Sequence, residues 1–297
     1  MTQAVFDTAL LRQRMRRALS GPAPVADFLL TAVADDLVDR LAAVKRQFDL
    51  AADIATPLPT VADQLASSDQ VSQVARLAPL EAGALRPKVV GSAEALPFAP
   101  GCLDLAVSAL AFQFVNDLPG TFIQIRQALK PDGLFLAALL GGETLTELRQ
   151  AFAAAEAELT DGAAPRVAPF AEVRTVGALL QRAGFALPVV DIDRMSVRYA
   201  TMFDLVRDLR AMGATNPLIE RSRRPLPRTV ATRAAAIYAE RFADPDGRVR
   251  ATFDVIWLSG WTPHESQQQP LPPGSARTRL ADALGVTERS AGEKAGG

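Results

Sequence analysis

The sequence contains very little of two residue types that build many catalytic and metal sites. Its 297 residues include one cysteine, Cys102, and one histidine, His264. A single cysteine cannot form an internal disulfide, which favours a reducing compartment, and a metal site built from Cys and His side chains is excluded. The sequence therefore predicts a chain without a resident metal and without a two-His-one-carboxylate iron site.

An excess of charge of one sign and a long apolar segment are missing as well. The 32 basic and 33 acidic residues nearly balance, so no overall field favours nucleic acid or an anionic membrane surface. The apolar runs at residues 105–115 and 134–140 are too short or interrupted to span a bilayer. The first ten residues do not have the pattern of a signal peptide. We expect a cytoplasmic protein that binds no nucleic acid, and its oligomeric state is left open.

Apolar periodicity predicts an α/β chain in which two helices precede the sheet, because strand-like runs alternate with helical patterns. The predicted strands are residues 48–54, 71–75, 88–91, 103–110, 134–140, 185–192 and 251–261. The predicted helices are residues 6–20, 25–44, 119–129, 143–159, 170–183, 202–212 and 229–242, with a further helix after the first strand. The expected domains are an N-terminal helical arm at 1–46, an α/β domain at 47–276 with a helical insertion at about 200–245, and a flexible tail at 277–297.

The turn after the first predicted strand stands where many α/β enzymes hold a nucleotide. The stretch "ADIATPLP" places Asp53 near the strand end, followed by Ala55, Pro57 and Pro59, with no glycine. Each proline removes a backbone N–H and fixes φ, so the turn offers fewer donors to a ligand. These residues alone fit either an ordinary strand-to-helix turn or a modified ligand loop.

Two further segments carry candidate contacts to a substrate or a partner. Glu143 and Thr144 follow a pair of glycines, and they fit either a helix cap or a position in the crevice at the sheet edge. His264 is followed by Glu265 and Ser266, and a lone histidine fits either packing or a substrate contact. Adjacent residues do not face one another as a nucleophilic triad does, and a G-x-S-x-G elbow is missing from the sequence, which excludes a hydrolase.

Arginines recur in the first predicted helix and again at residues 221–228. Each group fits a solvated surface or a contact to an acidic partner protein. The segment 216–228 combines these arginines with prolines, which predicts an exposed connection between two helices.

Residues 92–149 contain the series "LPF", "LDL", "VNDLPG", "LKPDG" and "LGGETLTELR", which resembles the class I S-adenosylmethionine-dependent methyltransferases. Together with "VFDTALLRQRMRRA", "FDLVRDLRAMGATN" and "WTPHESQQQPLPPGSA", the series is similar to the methyltransferase-type assembly factors of respiratory complex I. These are related to the malonyl-carrier-protein methyltransferases of biotin synthesis. The resemblance implies a seven-stranded Rossmann-like methyltransferase fold with additional N-terminal and inserted helices.

The resemblance also implies a function and a set of site residues. It implies a role in the maturation of complex I, in which the protein binds a complex I subunit and lies peripheral to the inner membrane. The mitochondrial relative is regarded as an arginine hydroxylase. The cofactor that the fold implies is S-adenosylmethionine. The implied cofactor positions are Asp53, Ala55, Arg76, Ser92, Ala93, Glu94 and Ala109. The implied substrate or partner positions are Glu143, Thr144, Arg149, His264, Glu265 and Ser266.

Three of these cofactor positions depart from the pattern of the methyltransferases. Ala55 opens a turn that lacks the glycines, Arg76 replaces the acid that holds the ribose, and Ser92 replaces an aspartate near the adenine. Each change removes hydrogen bonds worth about 1–3 kcal/mol. The sequence predicts that the cofactor is absent or held differently, and the alternative is an active methyltransferase with an atypical loop that uses Asp53, Glu94 and the backbone near residues 109–112.

Overall fold

A seven-stranded sheet forms the centre of the first of two units in the chain. The computed structural model describes residues 4–21, 25–80, 88–160, 162, 164–268, 282 and 285–287. Chain contacts separate the first unit, Met1–Pro263, from the second unit, His264–Gly297. The boundary predicted at residue 46 stays a prediction, and the one predicted at 276 lies outside the described residues.

The described residues form eight α-helices and seven strands. The helices are α1 (Thr8–Ser20), α2 (Phe28–Ala42), α3 (Thr60–Ala66), α4 (Leu118–Ala128), α5 (Thr146–Leu159), α6 (Val173–Arg182), α7 (Met202–Ala211) and α8 (Arg228–Phe242). The strands are β1 (Phe48–Ile54), β2 (Val71–Ala78), β3 (Lys88–Val90), β4 (Leu103–Ala109), β5 (Leu129–Leu140), β6 (Ala186–Tyr199) and β7 (Val249–Trp261).

The strand order in the sheet is β3-β2-β1-β4-β5-β7-β6. Strands β1 to β5 pair in parallel, and β7 lies antiparallel between β5 and β6. Parallel neighbours need crossover connections, which α3 provides between β1 and β2 and α4 provides between β4 and β5. This arrangement confirms the predicted seven-stranded α/β fold with additional helices.

Helices cover both faces of the sheet, so neighbouring residues of one strand enter different cores. Ala51 belongs to the same apolar core as Leu37 of α2 on one face, whereas Ala52 belongs to the core that includes Phe122 of α4 on the other. Side chains of a strand alternate between the two faces. Because both faces are buried, the central strands are mostly apolar rather than alternating, as is typical of parallel sheets.

Three local predictions differ from the structure. The strand predicted at 134–140 begins earlier, because β5 includes "KPDG" at residues 130–133, where the chain bulges against β4 and Asp132 has a φ of 61°. Helix α5 begins at Thr146 and not at residue 143, because Leu145 has a φ of 56°, which is incompatible with the helix. The segment 216–228 is not exposed throughout, since Pro217 and Leu218 are buried and Leu218 pairs with Phe6.

Candidate functional site

A small cavity lies against the carboxyl ends of β1, β2 and β4. We call it the edge cavity, and its volume is about 180 Å³. The turn after β1 lines it through Ala55 and Pro57, and Leu110 lines it from the end of β4. Like Ala55, three further predicted cofactor positions line it, namely Ser92, Ala93 and Glu94. Ligands of open α/β folds bind at this edge of the sheet.

The turn after β1 keeps a backbone conformation that favours glycine although it contains none. Ala55 has a φ of 60°, a region that costs an L-residue about 1–2 kcal/mol. Its N–H donates to the carbonyl oxygen of Leu77 at 2.7 Å, which holds the turn against β2. Pro57 and Pro59 contribute no N–H, and α3 begins directly after Pro59. The turn therefore combines a strained backbone with few donors for a ligand.

Beneath this turn, two of the predicted cofactor positions bind each other. Asp53 and Arg76 are register partners on β1 and β2. Nε of Arg76 lies 3.3 Å from Oδ2 of Asp53, and both side chains are 0% exposed. The Thr56 hydroxyl donates to Oδ1 of Asp53 and accepts the N–H of Ala109 at 3.1 Å. A second nitrogen of Arg76 donates to the Thr56 carbonyl at 2.9 Å. This network joins the ends of β1, β2 and β4.

The charge of the network depends on its burial. Burial raises the pKa of the Asp53 carboxyl to about 6, and the Thr56 hydroxyl and the Arg76 guanidinium lower it by less. A buried carboxylate that has a cationic partner and a further hydrogen-bond donor is tolerated inside a fold, whereas one that has lost the partner is costly. The two groups thus serve as a cross-strand brace.

Glu94 is held by the start of α4. Its Oε1 accepts the N–H of Asn116 at 2.6 Å and that of Asp117 at 3.0 Å. The Ser92 hydroxyl accepts the N–H of Glu94 at 3.2 Å. Nearby, the Gln113 amide donates to the Leu110 carbonyl at 2.7 Å. Among the described residues, no hydrogen-bond partner is found for the buried Oε1 of Gln113.

The N-terminal segment 4–21 covers the edge cavity, and we call it the roof. Thr8, Leu11, Arg12 and Met15 line the cavity from α1. Asn116 fixes the start of the roof, because its Oδ1 accepts the N–H groups of Val5 and Phe6, each at 2.8 Å. The predicted N-terminal arm is therefore part of the site's wall.

The turn after α7 meets the roof at close range. Gly213 has a φ of 70°, and a Cβ at this position would lie 2.8 Å from Cα of Met15. Arg14 donates to the carbonyl oxygens of Thr215 at 2.8 Å and Asn216 at 2.5 Å. Glycine is required here both by its conformation and by the nearby backbone. These contacts fasten α1 to the chain between α7 and α8.

On the other side of the roof lies a larger cavity of about 710 Å³. Its apolar interior includes Phe114, Leu145, Leu148, Phe152 and Phe170. Five arginines line it, namely Arg14, Arg17, Arg166, Arg207 and Arg210. We call it the arginine-rimmed cavity. It shares Phe114 and Ala214 with the edge cavity, so the two spaces adjoin.

The predicted substrate or partner positions in the first unit lie apart from the cavities. Thr144 is buried, and its hydroxyl accepts the Asp254 N–H at 3.1 Å and donates to the Asp254 carbonyl at 3.2 Å. Arg149 donates to the Thr144 carbonyl at 3.3 Å, and Glu143 is exposed. None of the three lines either of these two cavities. Thr144 acts as a clamp between the turn after β5 and strand β7, and a role of the segment in recognition stays a prediction.

The other three predicted substrate or partner positions, at residues 264–266, belong to the second unit. Nδ1 of His264 lies 2.7 Å from the Ser266 hydroxyl and accepts the Ser266 N–H at 3.3 Å. His264, Glu265 and Ser266 are all exposed. The contacts form a local turn, and a role in recognition stays a prediction for these residues too.

Sequence reasoning missed several residues of this region. Thr56 and Gln113 have no motif that distinguishes them, and their roles follow from contacts with β4. Gly213 was identifiable as a helix-ending glycine, but its contact with Met15 joins distant parts of the chain. Within the part of the chain that the structure describes, no cluster of three or more His, Cys, Asp or Glu side chains is suited to a metal. No described helix has the length and apolar character needed to cross a membrane.

Comparison with known proteins shows similarity along most of the chain. A family model described as "Methyltransferase domain" matches residues 50–137. The mitochondrial arginine-hydroxylase NDUFAF5 of Danio rerio is 38% identical over 288 residues, covering 94% of this chain and 89% of that protein. The protein of the same name from Homo sapiens is 37% identical, with 95% and 84% covered. The malonyl-acyl-carrier-protein O-methyltransferase of Gallionella capsiferriformans is 30% identical over 280 residues, with 89% and 93% covered.

Solved structures are similar in fold at much lower identity. YcgJ from Bacillus subtilis has a TM-score of 0.52 at 12% identity, covering 77% of this chain and 99% of that one. A Bacillus halodurans protein assigned to the methyltransferases has a TM-score of 0.53 at 16% identity, with 78% and 99% covered. The likeness confirms the Rossmann-like fold that the sequence resemblance implies.

Proposed function

Because the chain belongs to the methyltransferase-fold family that includes the arginine hydroxylase NDUFAF5, we propose that it acts in the assembly of respiratory complex I. In this proposal it binds or acts on a protein partner, a subunit of that complex. Similarity over 94% of the chain, well beyond the matched methyltransferase domain at residues 50–137, supports a function shared with the whole relative. The relatives are named as mitochondrial, and we propose a cytoplasmic location for this chain, peripheral to the inner membrane through its partner.

We also propose that the S-adenosylmethionine site is degenerate. The buried pair of Asp53 and Arg76 is the observation that carries this proposal. Two side chains implied as cofactor contacts are engaged with each other at 3.3 Å and are 0% exposed. The edge cavity of about 180 Å³ is smaller than the roughly 300–1,000 Å³ of ordinary ligand sites. The residues present do not fit the cofactor held in the usual way, so we derive no methyl transfer from them.

A second candidate is an active methyltransferase with an atypical loop. The position of the edge cavity at the ends of β1 and β4 favours it, as does the buried Oε1 of Gln113, which has no partner among the described residues. In this candidate Glu94 and the backbone near residues 109–112 hold the cofactor. Alignment of donor and acceptor is the main requirement of methyl transfer, so no dedicated base is needed.

Deletion of the gene tests the role in assembly. We expect a deletion strain to contain less assembled complex I on native gels and to show lower NADH oxidation by its membranes, with both restored by the wild-type gene. An unchanged complex in the deletion strain would contradict the proposal. Mass spectrometry of complex I subunits from the same strains would detect an added oxygen or methyl group on arginine or other residues.

A variant that fills the edge cavity separates the two candidates. Ala111 lines the cavity and is half-buried, so Ala111→Phe occupies the space in which a cofactor would lie. If partner binding is sufficient, the variant restores complex I as well as the wild type does. The exposed Ala236 on α8 provides the matched control, Ala236→Phe. Loss of rescue by Ala111→Phe alone, at equal protein level and melting temperature, would favour the methyltransferase.

A further inference from the structure

The arginine-rimmed cavity has one sign of charge at its edge. Its lining contains five arginines and no aspartate or glutamate. Arg166 contacts Glu156 at 2.6 Å and Arg207 contacts Asp204 at 2.7 Å, and Arg14 is occupied by two backbone carbonyls. For Arg17 and Arg210, no carboxylate contact is found in the described part of the chain. A guanidinium does not lose its proton in proteins, so this rim stays positive at all working pH values.

The interior of the same cavity is apolar. Leu148 comes from α5, Phe114 lies before α4, and Leu209 belongs to α7. All three are less than 10% exposed. The volume of about 710 Å³ lies within the range of small-ligand sites, which are mostly apolar with a few placed polar groups. A ligand with an apolar body and a charged end matches both parts.

The rim determines the sign of that charged end. Arg17 stands on the roof and Arg210 on α7, so the two come from different elements that border one opening. Burial and the charges of Arg221 and Arg17 lower the pKa of Arg14 against the opposing effect of Asp7, as expected where cations crowd together. Guanidinium groups bind carboxylate and phosphate with paired hydrogen bonds. A cationic ligand, including an arginine side chain, is disfavoured here by like charge.

We propose that the arginine-rimmed cavity binds an amphipathic anion, with an unbranched acyl chain in the apolar interior and a carboxylate or phosphate at Arg17 and Arg210. This goes beyond the proposed function and does not depend on it, because the cavity and its rim are defined without the partner or the cofactor. A free acyl carboxylate and an acyl-chain phosphate ester share this chemistry.

Calorimetric titration of the full-length protein with defined amphiphiles tests the proposal. The probes are octanoate, decanoate and dodecanoate, with dodecyl phosphate for the other head group and dodecyltrimethylammonium as the cationic control, all below their micellar concentrations. Each added methylene should tighten binding by about fourfold, and raising the salt concentration should weaken it. Stronger binding of dodecyl phosphate than of dodecanoate would indicate a phosphate ester as the source, and the reverse a free acid.

Neighbouring arginines on α1 provide a matched pair of variants. Arg17 lines the cavity and Arg16 does not, although both are exposed. Arg17→Glu should weaken dodecanoate binding by roughly fivefold, and Arg16→Glu should leave it nearly unchanged, with equal melting temperatures for both variants. Three results would overturn the proposal. The first is that the cationic control binds as tightly as dodecanoate, the second is that the two variants have equal effects, and the third is that no probe binds saturably. The last result would be expected if the cavity instead accepts an acidic segment of a protein.

Discussion

Replacing Arg76 with methionine removes the cationic partner of a fully buried carboxyl group. Both side chains of the pair are 0% exposed, and their atoms lie 3.3 Å apart. Removing one member of a buried pair costs about 3–5 kcal/mol, since the other charge is left without compensation. Because the free energy of unfolding of a domain is about 5–15 kcal/mol, the Arg76→Met variant should melt roughly 6–15 °C lower than the wild type.

The difference in the free energy of unfolding between the wild type and the Arg76→Met variant, called the deficit below, should also depend on pH in a defined direction. Asp53 has a folded-state pKa of about 6, raised from 3.8, and the loss of Arg76 raises it further. A group with a raised pKa contributes stability that is present at low pH and is lost as the pH rises through the folded-state value. Above about pH 6 the wild type stops losing this stability, whereas the variant continues to lose about 1.4 kcal/mol per pH unit. The deficit is therefore larger at about pH 8 than at about pH 6.

Urea unfolding followed by circular dichroism at these pH values measures the effect. The exposed Gln73 on the same strand gives the control variant Gln73→Met, which should stay within about 0.5 kcal/mol of the wild type. The double variant Asp53→Asn/Arg76→Met removes both charges and should recover much of the loss. A deficit below about 1 kcal/mol, or one that does not change with pH, would refute the reasoning that the pair braces the strands.

The remaining predictions concern the roof and the clamp on β7. Gly213→Ala should increase proteolysis within the roof, because the new Cβ would lie 2.8 Å from Cα of Met15, whereas Gly247→Ala, at a similar positive φ with nothing within 4 Å, should not. Asn116→Ala should speed amide hydrogen exchange at the start of the roof, because the Asn116 side chain accepts the N–H groups of Val5 and Phe6 at 2.8 Å. Unchanged exchange would contradict the role of Asn116 in fixing the roof. Thr144→Val should lower the free energy of unfolding by about 1–3 kcal/mol, since backbone groups of β7 lose their partner, and chemical denaturation would measure this.

Much of the fold is predictable from local patterns, because strands buried on both faces are nearly continuous apolar runs. The resemblance implied a seven-stranded Rossmann-like sheet, but the order of the strands was not predicted, because periodicity alone does not contain it. The segment around Leu218 was misinterpreted since its arginines and prolines are typical of exposed loops. Its burial depends on Phe6, far away in the chain. Similarly, the stretch "KPDG" has the composition of a loop but lies inside β5 as a bulge opposite β4.

The positions of the candidate site were predictable one at a time, but their relations were not. Asp53 and Arg76 were each identified by comparison with the methyltransferase pattern, yet their pairing follows from the register of β1 and β2. Arg14 and Arg17 were visible as charges on the first helix. Their position at the edge of an apolar cavity depends on α1 packing against the turn at Gly213. Contacts of this kind join separate elements, so no local pattern predicts them.

Calorimetric titration of the wild-type protein with S-adenosylmethionine and with S-adenosylhomocysteine tests most directly the claim that the cofactor site is degenerate. With Asp53 and Arg76 bound to each other and few donors left in the turn after β1, we expect no heat of binding from either compound at millimolar concentration. Saturable binding of either compound at micromolar concentration would contradict the account.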